Sequence, residues 1–186
     1  MELSPPAAPR ELQHDRTIRV RGYEREDGLF DVEAELLDTR TFDVELSDRP
    51  IPAGTPMHQM KARLTVNLQM EILAAEAVTL FGPYTICPGG AASFSKLAGL
   101  TIKSGFLRAA NEVMGGAAGC THIREFLQQM ATVAHQATFR RRWRDTPEIF
   151  TTPSSRQLNT CFAYDSAGER VRAKWPELYD GPKVEG

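Results

Sequence analysis

No run of apolar residues in this chain approaches the roughly 18–20 needed to cross a bilayer. Nor is there a surplus of positive charge to hold a nucleic acid by overall electrostatics: 22 Lys and Arg stand against 24 Asp and Glu, for a net charge of −2. Cysteine is scarce too. The three that occur, Cys87, Cys120 and Cys161, are odd in number and widely spaced, unlike the dense framework of a small secreted domain. The stretch from Met1 to Arg16 has no apolar segment of the kind a secretory signal needs. A reducing cytoplasm is therefore the expected setting, with neither membrane nor nucleic acid as partner. No internal repeat is visible. At 186 residues, 41% hydrophobic and 25% charged, the composition is that of an ordinary globular chain, of a length that suits one domain with a real core.

Residues 1–15, rich in proline, alanine and charge, read as a loose arm. Residues 16–179 read as a single domain, with 180–186 a tail. From Thr17 to Tyr23 and again from Leu29 to Leu36, apolar and polar residues alternate about a turn at Glu24 to Gly28, which is the pattern of a β-hairpin. Thr41 to Leu46 keeps the same period and suggests a third strand, and Asp48 to Thr55 a loop broken by proline and glycine. The clearest strand runs from His58 to Leu68, with Met60, Ala62, Leu64, Val66 and Leu68 on one face. Glu71 to Leu80 has helical propensity at its centre, but its position after a strand favours further pairing.

Helical patterns follow. Ala91 to Ala98 predicts a short helix closed by Gly99. Ser104 is placed to cap a second helix, with Phe106, Leu107, Ala110, Val113 and Met114 inward, stopped at Gly115 and Gly116. The third and longest is expected from about Thr121 to Trp143, with Ile123, Phe126, Leu127, Met130, Val133, Ala134 and Ala137 as its buried stripe. Pro147 and Pro153 bar its continuation. Beyond lie Cys161, a turn at Asp165 to Gly168, and Trp175 to Tyr179. Strands first and helices later give an α+β fold: an antiparallel sheet of three to five strands with three helices packed on one face.

The chemistry-bearing residues gather at turns. Gly115-Gly116-Ala117-Ala118-Gly119-Cys120-Thr121-His122 brings a cysteine and a histidine to the start of the longest helix. There, free N–H groups and the helix dipole favour thiolate. Cys87 lies in its own Pro/Gly turn, and His58 just precedes the central strand. Cys87, Cys120, His58 and His122 are thus candidate metal ligands, since thiolate and imidazole suit zinc and iron–sulfur clusters. The plainer reading is that free cysteines are small buried hydrophobes. Cys120 can alternatively serve as a nucleophile. His122, two residues on along a helix, is expected to point elsewhere, which makes His58 the better base.

Cys161 reads as a buried strand residue, His135 as packed or surface, and His14 as solvated in the arm. Arg140, Arg141, Arg142 and Arg144 around Trp143 suit a helix C-terminus, with Asp145 and Glu148 near to pair. Glu24, Glu26, Asp27, Asp31, Glu33 and Glu35 read as the solvent face of the hairpin.

Two resemblances bear on these residues. Tyr23 to Ala34, His58 to Val66, Gly115 to Ile123 and Leu158-Asn159-Thr160-Cys161 together resemble a bacterial family of unknown function marked by a Gly-Gly-x-x-Gly-Cys-Thr-His motif. From about Pro50 to Phe139 the order of features resembles the iron–sulfur cluster scaffold proteins of the IscU/NifU type. Cys87-Pro88-Gly89-Gly90-Ala91-Ala92-Ser93 is similar to the scaffold's second-cysteine loop, and Cys120 to its third cysteine. Where the scaffold has its first cysteine this chain has Pro56, Met57 and His58, so His58 would replace a ligand. The resemblance implies an IscU/NifU-like core carrying an N-terminal hairpin extension. It also implies an accessory role in holding or passing on metal or sulfur, with zinc or an iron–sulfur cluster as cofactor and a partner protein as recipient. Against it stand an interaction module with structural cysteines, and a thiol-dependent enzyme using Cys120.

Overall fold

A computed structural model of the chain describes residues 3–147 and 157–182. It divides into two compact units, Met1–Thr138 and Phe139–Gly186. The first unit is α+β. Its strands are β1 (His14–Glu24), β2 (Phe30–Arg40), β3 (Val44–Glu45), β4 (Pro50–Ile51), β5 (Pro56–Val66) and β6 (Ile72–Phe81). Four of them form one antiparallel sheet in the order β1-β2-β5-β6, and β3 pairs with β4 in a second, two-stranded sheet.

The period-two alternation decides which face is buried. Phe30, Val32, Ala34 and Leu36 on β2, with Met60, Ala62, Leu64 and Val66 on β5, all point into the core. On the opposite face Lys61 meets Glu35 at 3.1 Å, and Arg63 bridges Glu33 and Glu76. These exposed pairs contribute little stability; their consequence is that this face stays in water. The β1–β2 turn is closed by the Arg25 amide donating to the Leu29 carbonyl at 2.8 Å, and Gly28 takes the left-handed φ of +82° that the turn requires.

The helical elements all follow the sheet. A 3₁₀ segment runs Cys87–Leu97, then come α1 (Phe106–Met114), α2 (Thr121–Arg124) and α3 (Phe126–Asp145). Phe94, Leu97, Phe106, Ala110, Met114, Ile123, Phe126, Leu127, Met130 and Ala134 join the sheet's inward residues in one core cluster. Gly22 on β1 permits one close approach: a Cβ there would lie 2.6 Å from the Ala137 Cβ on α3.

Several sequence expectations are corrected. The third strand shrinks to β3, because it pairs not with the sheet but with Pro50 and Ile51, inside the stretch expected to be loop. The turn bearing Cys87 is itself the start of the 3₁₀ segment, which closes as expected before Gly99 at φ +87°. Ser104 does not cap α1; the N-cap is Gly105, with φ 85° and no side-chain bond. Leu107 on α1 is exposed rather than inward. The longest helix is interrupted at Glu125, so Thr121–Arg124 and Phe126–Asp145 are separate elements.

The second unit has its own order. Asn159, at φ 60°, accepts bonds from the Ser166 amide and hydroxyl at 3.0 Å. The turn from Asp165 to Gly168 leads into α4 (Glu169–Lys174). Tyr164 and Trp175 stack at 6.1 Å, with Arg170 over both rings. Cys161 is exposed at the start of a 3₁₀ turn, not buried in a strand; its carbonyl accepts the Tyr164 amide at 2.9 Å within that turn. Arg141 and Arg144 both meet Asp145; Glu148 and Pro153 lie outside the described residues.

Candidate functional site

The inward parity of β2 does not stop at Leu36. It carries on to Asp38, which places a carboxylate on the core side of the sheet with 2% of its surface exposed. In register, Arg16 on β1 and His58 on β5 flank it. The ladder slips here: Asp38 faces His58 but Thr39 faces Pro56, leaving Met57 unpaired in a bulge. The Asp38 carboxylate accepts the His58 backbone N–H at 2.9 Å and faces His58 Nδ1 at 2.9 and 3.2 Å. Arg16 Nε stands 3.8 Å away, with its Nη2 3.1 Å from Glu125, the residue at the helix break. His14 is not solvated in an arm; as the first residue of β1 its Nε2 lies 3.6 Å from Asp38.

Helix α2 brings the second half. Cys120 is its N-cap, with extended backbone at φ −100° and ψ 127°, and its carbonyl accepts the Arg124 amide at 3.0 Å. Because Cys120 is extended while His122 is helical, the two side chains converge instead of diverging by helical spacing. Cys120 Sγ and His122 Nδ1 are 3.8 Å apart. Cys120 Sγ also lies 4.0 Å from the Met60 thioether of β5. The His122 ring stacks on His58 with centroids 3.8 Å apart and planes tilted by 35°. His58, the residue expected to serve Cys120 directly, is stacked on His122 and held by Asp38.

The glycine motif is the mechanical reason for this placement. A Cβ on Gly119 would sit under 3.0 Å from both the Met114 carbonyl and Ser93 Oγ, and one on Gly115 would collide with Asn111. Gly116 takes the left-handed φ of +57°. The chain can turn from α1 into Cys120 only with glycines there. Gly90 of the 3₁₀ segment abuts Cys120 in turn, since its Cβ would be 3.1 Å from that of Cys120. Cys87, at the head of that segment, is half-buried against Gly82 at the end of β6.

The His122 imidazole is held below its ordinary pKa, first by burial, then by neighbouring His58 and by Arg16. A neutral ring with one nitrogen turned to the sulfur results. His58 Nδ1 is engaged by Asp38; with the proton on Nδ1, the ring's lone pair is on Nε2. Structure thus brings together three of the four sequence candidates, Cys120, His122 and His58. Among the described residues, however, no group of three or more His, Cys, Asp and Glu is arranged to hold a metal ion. Asp38, Arg16, Glu125 and the Met60 sulfur were not among the sequence candidates. The parity of β2 was the signal for Asp38; nothing local marked the others. His135 is exposed on α3 and lines a shallow groove with Leu107 and Thr132.

A family described as a protein of unknown function (DUF2889) matches residues 14–136, and the chain belongs to it. That span holds every residue of the site and lies within the first unit. No curated protein and no solved structure matches the chain. Among the described residues no helix is long and apolar enough to cross a membrane.

Proposed function

We propose that the protein is an accessory metal-binding protein, holding or transferring a soft ion at Cys120 and His122. The observation that carries this reading is the 3.8 Å separation of Cys120 Sγ and His122 Nδ1. Bonds of about 2.3 Å from sulfur and 2.0–2.1 Å from nitrogen to one ion put two donors about 3.5–3.8 Å apart. His58 supports it: a buried carboxylate on one imidazole nitrogen is the usual outer-shell arrangement of a metal-binding histidine. Cys87 heads the helical segment that abuts Cys120 and is a further candidate ligand. Zinc or an iron–sulfur species is what the scaffold-like order of features suggests, with a partner protein to receive it.

The test is titration of the reduced protein with Co(II) as a spectroscopic probe for Zn(II). A sulfur-to-cobalt charge-transfer band that saturates at one equivalent and vanishes in Cys120→Ala and His122→Ala is the expected result. Failure to bind Co(II) or any other soft ion at micromolar protein would sink the reading.

A second reading rests on the same contact: Cys120 as a nucleophile with His122 as its base. It takes over if no metal binds and Cys120 alkylates quickly at neutral pH, slowing at least tenfold in His122→Ala. If Cys120 is slow as well, the site is structural and the fold an interaction module.

A further inference from the structure

We infer that Met60 is the third ligand and that the ion the site selects is a soft monovalent one, Cu(I), rather than Zn(II). This deepens the metal reading and rests on it. The Cys120 sulfur has two potential donors against it: the Met60 thioether at 4.0 Å and His122 Nδ1 at 3.8 Å. In a flat three-coordinate arrangement, bonds of about 2.3 Å to sulfur and 2.05 Å to nitrogen separate two sulfurs by about 4.0 Å and a sulfur from a nitrogen by about 3.8 Å. A tetrahedral arrangement with the same bonds gives about 3.8 and 3.6 Å. Both observed separations are close to those of two ligands sharing one ion.

The donor count points the same way. His, Cys, Asp and Glu, the set zinc uses, do not reach three here among the described residues. Of the groups against the Cys120 sulfur the thioether is the third donor, and it is a soft ligand suited to Cu(I). Met60 is 1% exposed, on the inward face of β5 beside Ala62 and Leu64. Its sulfur is shielded from water and turned to Cys120.

The experiment uses the full-length, reduced protein under anaerobic conditions. Cu(I) is titrated in competition with a chromophoric Cu(I) chelator, and Zn(II) separately against a zinc chromophore. Wild type is expected to take one Cu(I), at least a hundredfold more tightly than Zn(II). Met60→Leu, which nearly conserves volume, is expected to weaken Cu(I) at least tenfold while moving Zn(II) affinity less than twofold. Cys120→Ser should lose both ions. Should Met60→Leu fail to fold, selenomethionine-labelled wild type replaces it, and selenium-edge absorption should show copper bonded to one selenium.

Three results overturn the inference while leaving the metal reading intact: Zn(II) bound as tightly as Cu(I), Met60→Leu binding Cu(I) like wild type, or a selenium spectrum without copper. Failure of wild type to bind either ion overturns both.

Discussion

Replacing Asp38 is the sharpest test of how the site is held. Its carboxylate accepts two bonds from His58, from the backbone N–H and the ring Nδ1, each at 2.9 Å. It also provides negative charge beside Arg16. In Asp38→Ala both His58 donors lose their acceptor, and Arg16 keeps only Glu125. An unsatisfied buried donor costs about 1–3 kcal/mol, and a broken buried ion pair about 3–5 kcal/mol. The side chains of Arg16 and His58 are 27% and 13% exposed, so water relieves part of this. The 3.8 Å Arg16 contact is also longer than a hydrogen bond.

A loss of about 2–4 kcal/mol is expected for the alanine variant, and about 1–2 kcal/mol for Asp38→Asn, which keeps one acceptor oxygen. Urea unfolding with an unchanged denaturant slope measures it. Nitrogen-15 chemical shifts of the His58 ring report in parallel whether its proton leaves Nδ1. A loss under about 0.5 kcal/mol in Asp38→Ala, with the tautomer unchanged, would refute the argument that this carboxylate orients the ring.

Other predictions follow from single contacts. His122 has a folded-state pKa below its ordinary 6.5, so the unfolded chain binds its proton more readily. Its effect on stability is therefore absent well above pH 6.5 and grows unfavourable as pH falls from there toward the folded pKa. Urea unfolding of wild type and His122→Asn should show a shallower acid decline in the variant; parallel curves would contradict this. Gly22→Ala should destabilise by about 1–3 kcal/mol through collision with Ala137, and adding Ala137→Gly should recover part of the loss in a double-mutant cycle. Gly119→Ala, forced against the Met114 carbonyl and Ser93, should cost a similar amount and also disturb the Cys120 environment, read as a change in its alkylation rate. Cys161→Ala, at an exposed position, should leave stability within about 0.5 kcal/mol.

The sequence by itself determined the sheet's two faces, because period-two alternation is local: Phe30 to Leu36 and Met60 to Val66 are inward as their spacing demands. It determined the buried stripe of α3 for the same reason at a different period, and it drew attention to Cys120, His122 and His58 through their positions at turns. What only the tertiary structure decided is how those residues face one another. The 4.0 Å approach of Met60 to Cys120 comes from packing α2 onto β5, and no spacing along the chain encodes it. Cys120 and His122 converge because Cys120 is the extended N-cap of a helix that begins at Thr121, a backbone detail of φ and ψ at a single residue. Asp38 lies in between: strand parity alone turned it inward, but its partners His58 and Arg16 were set by strand register, which depends on how separate segments pair.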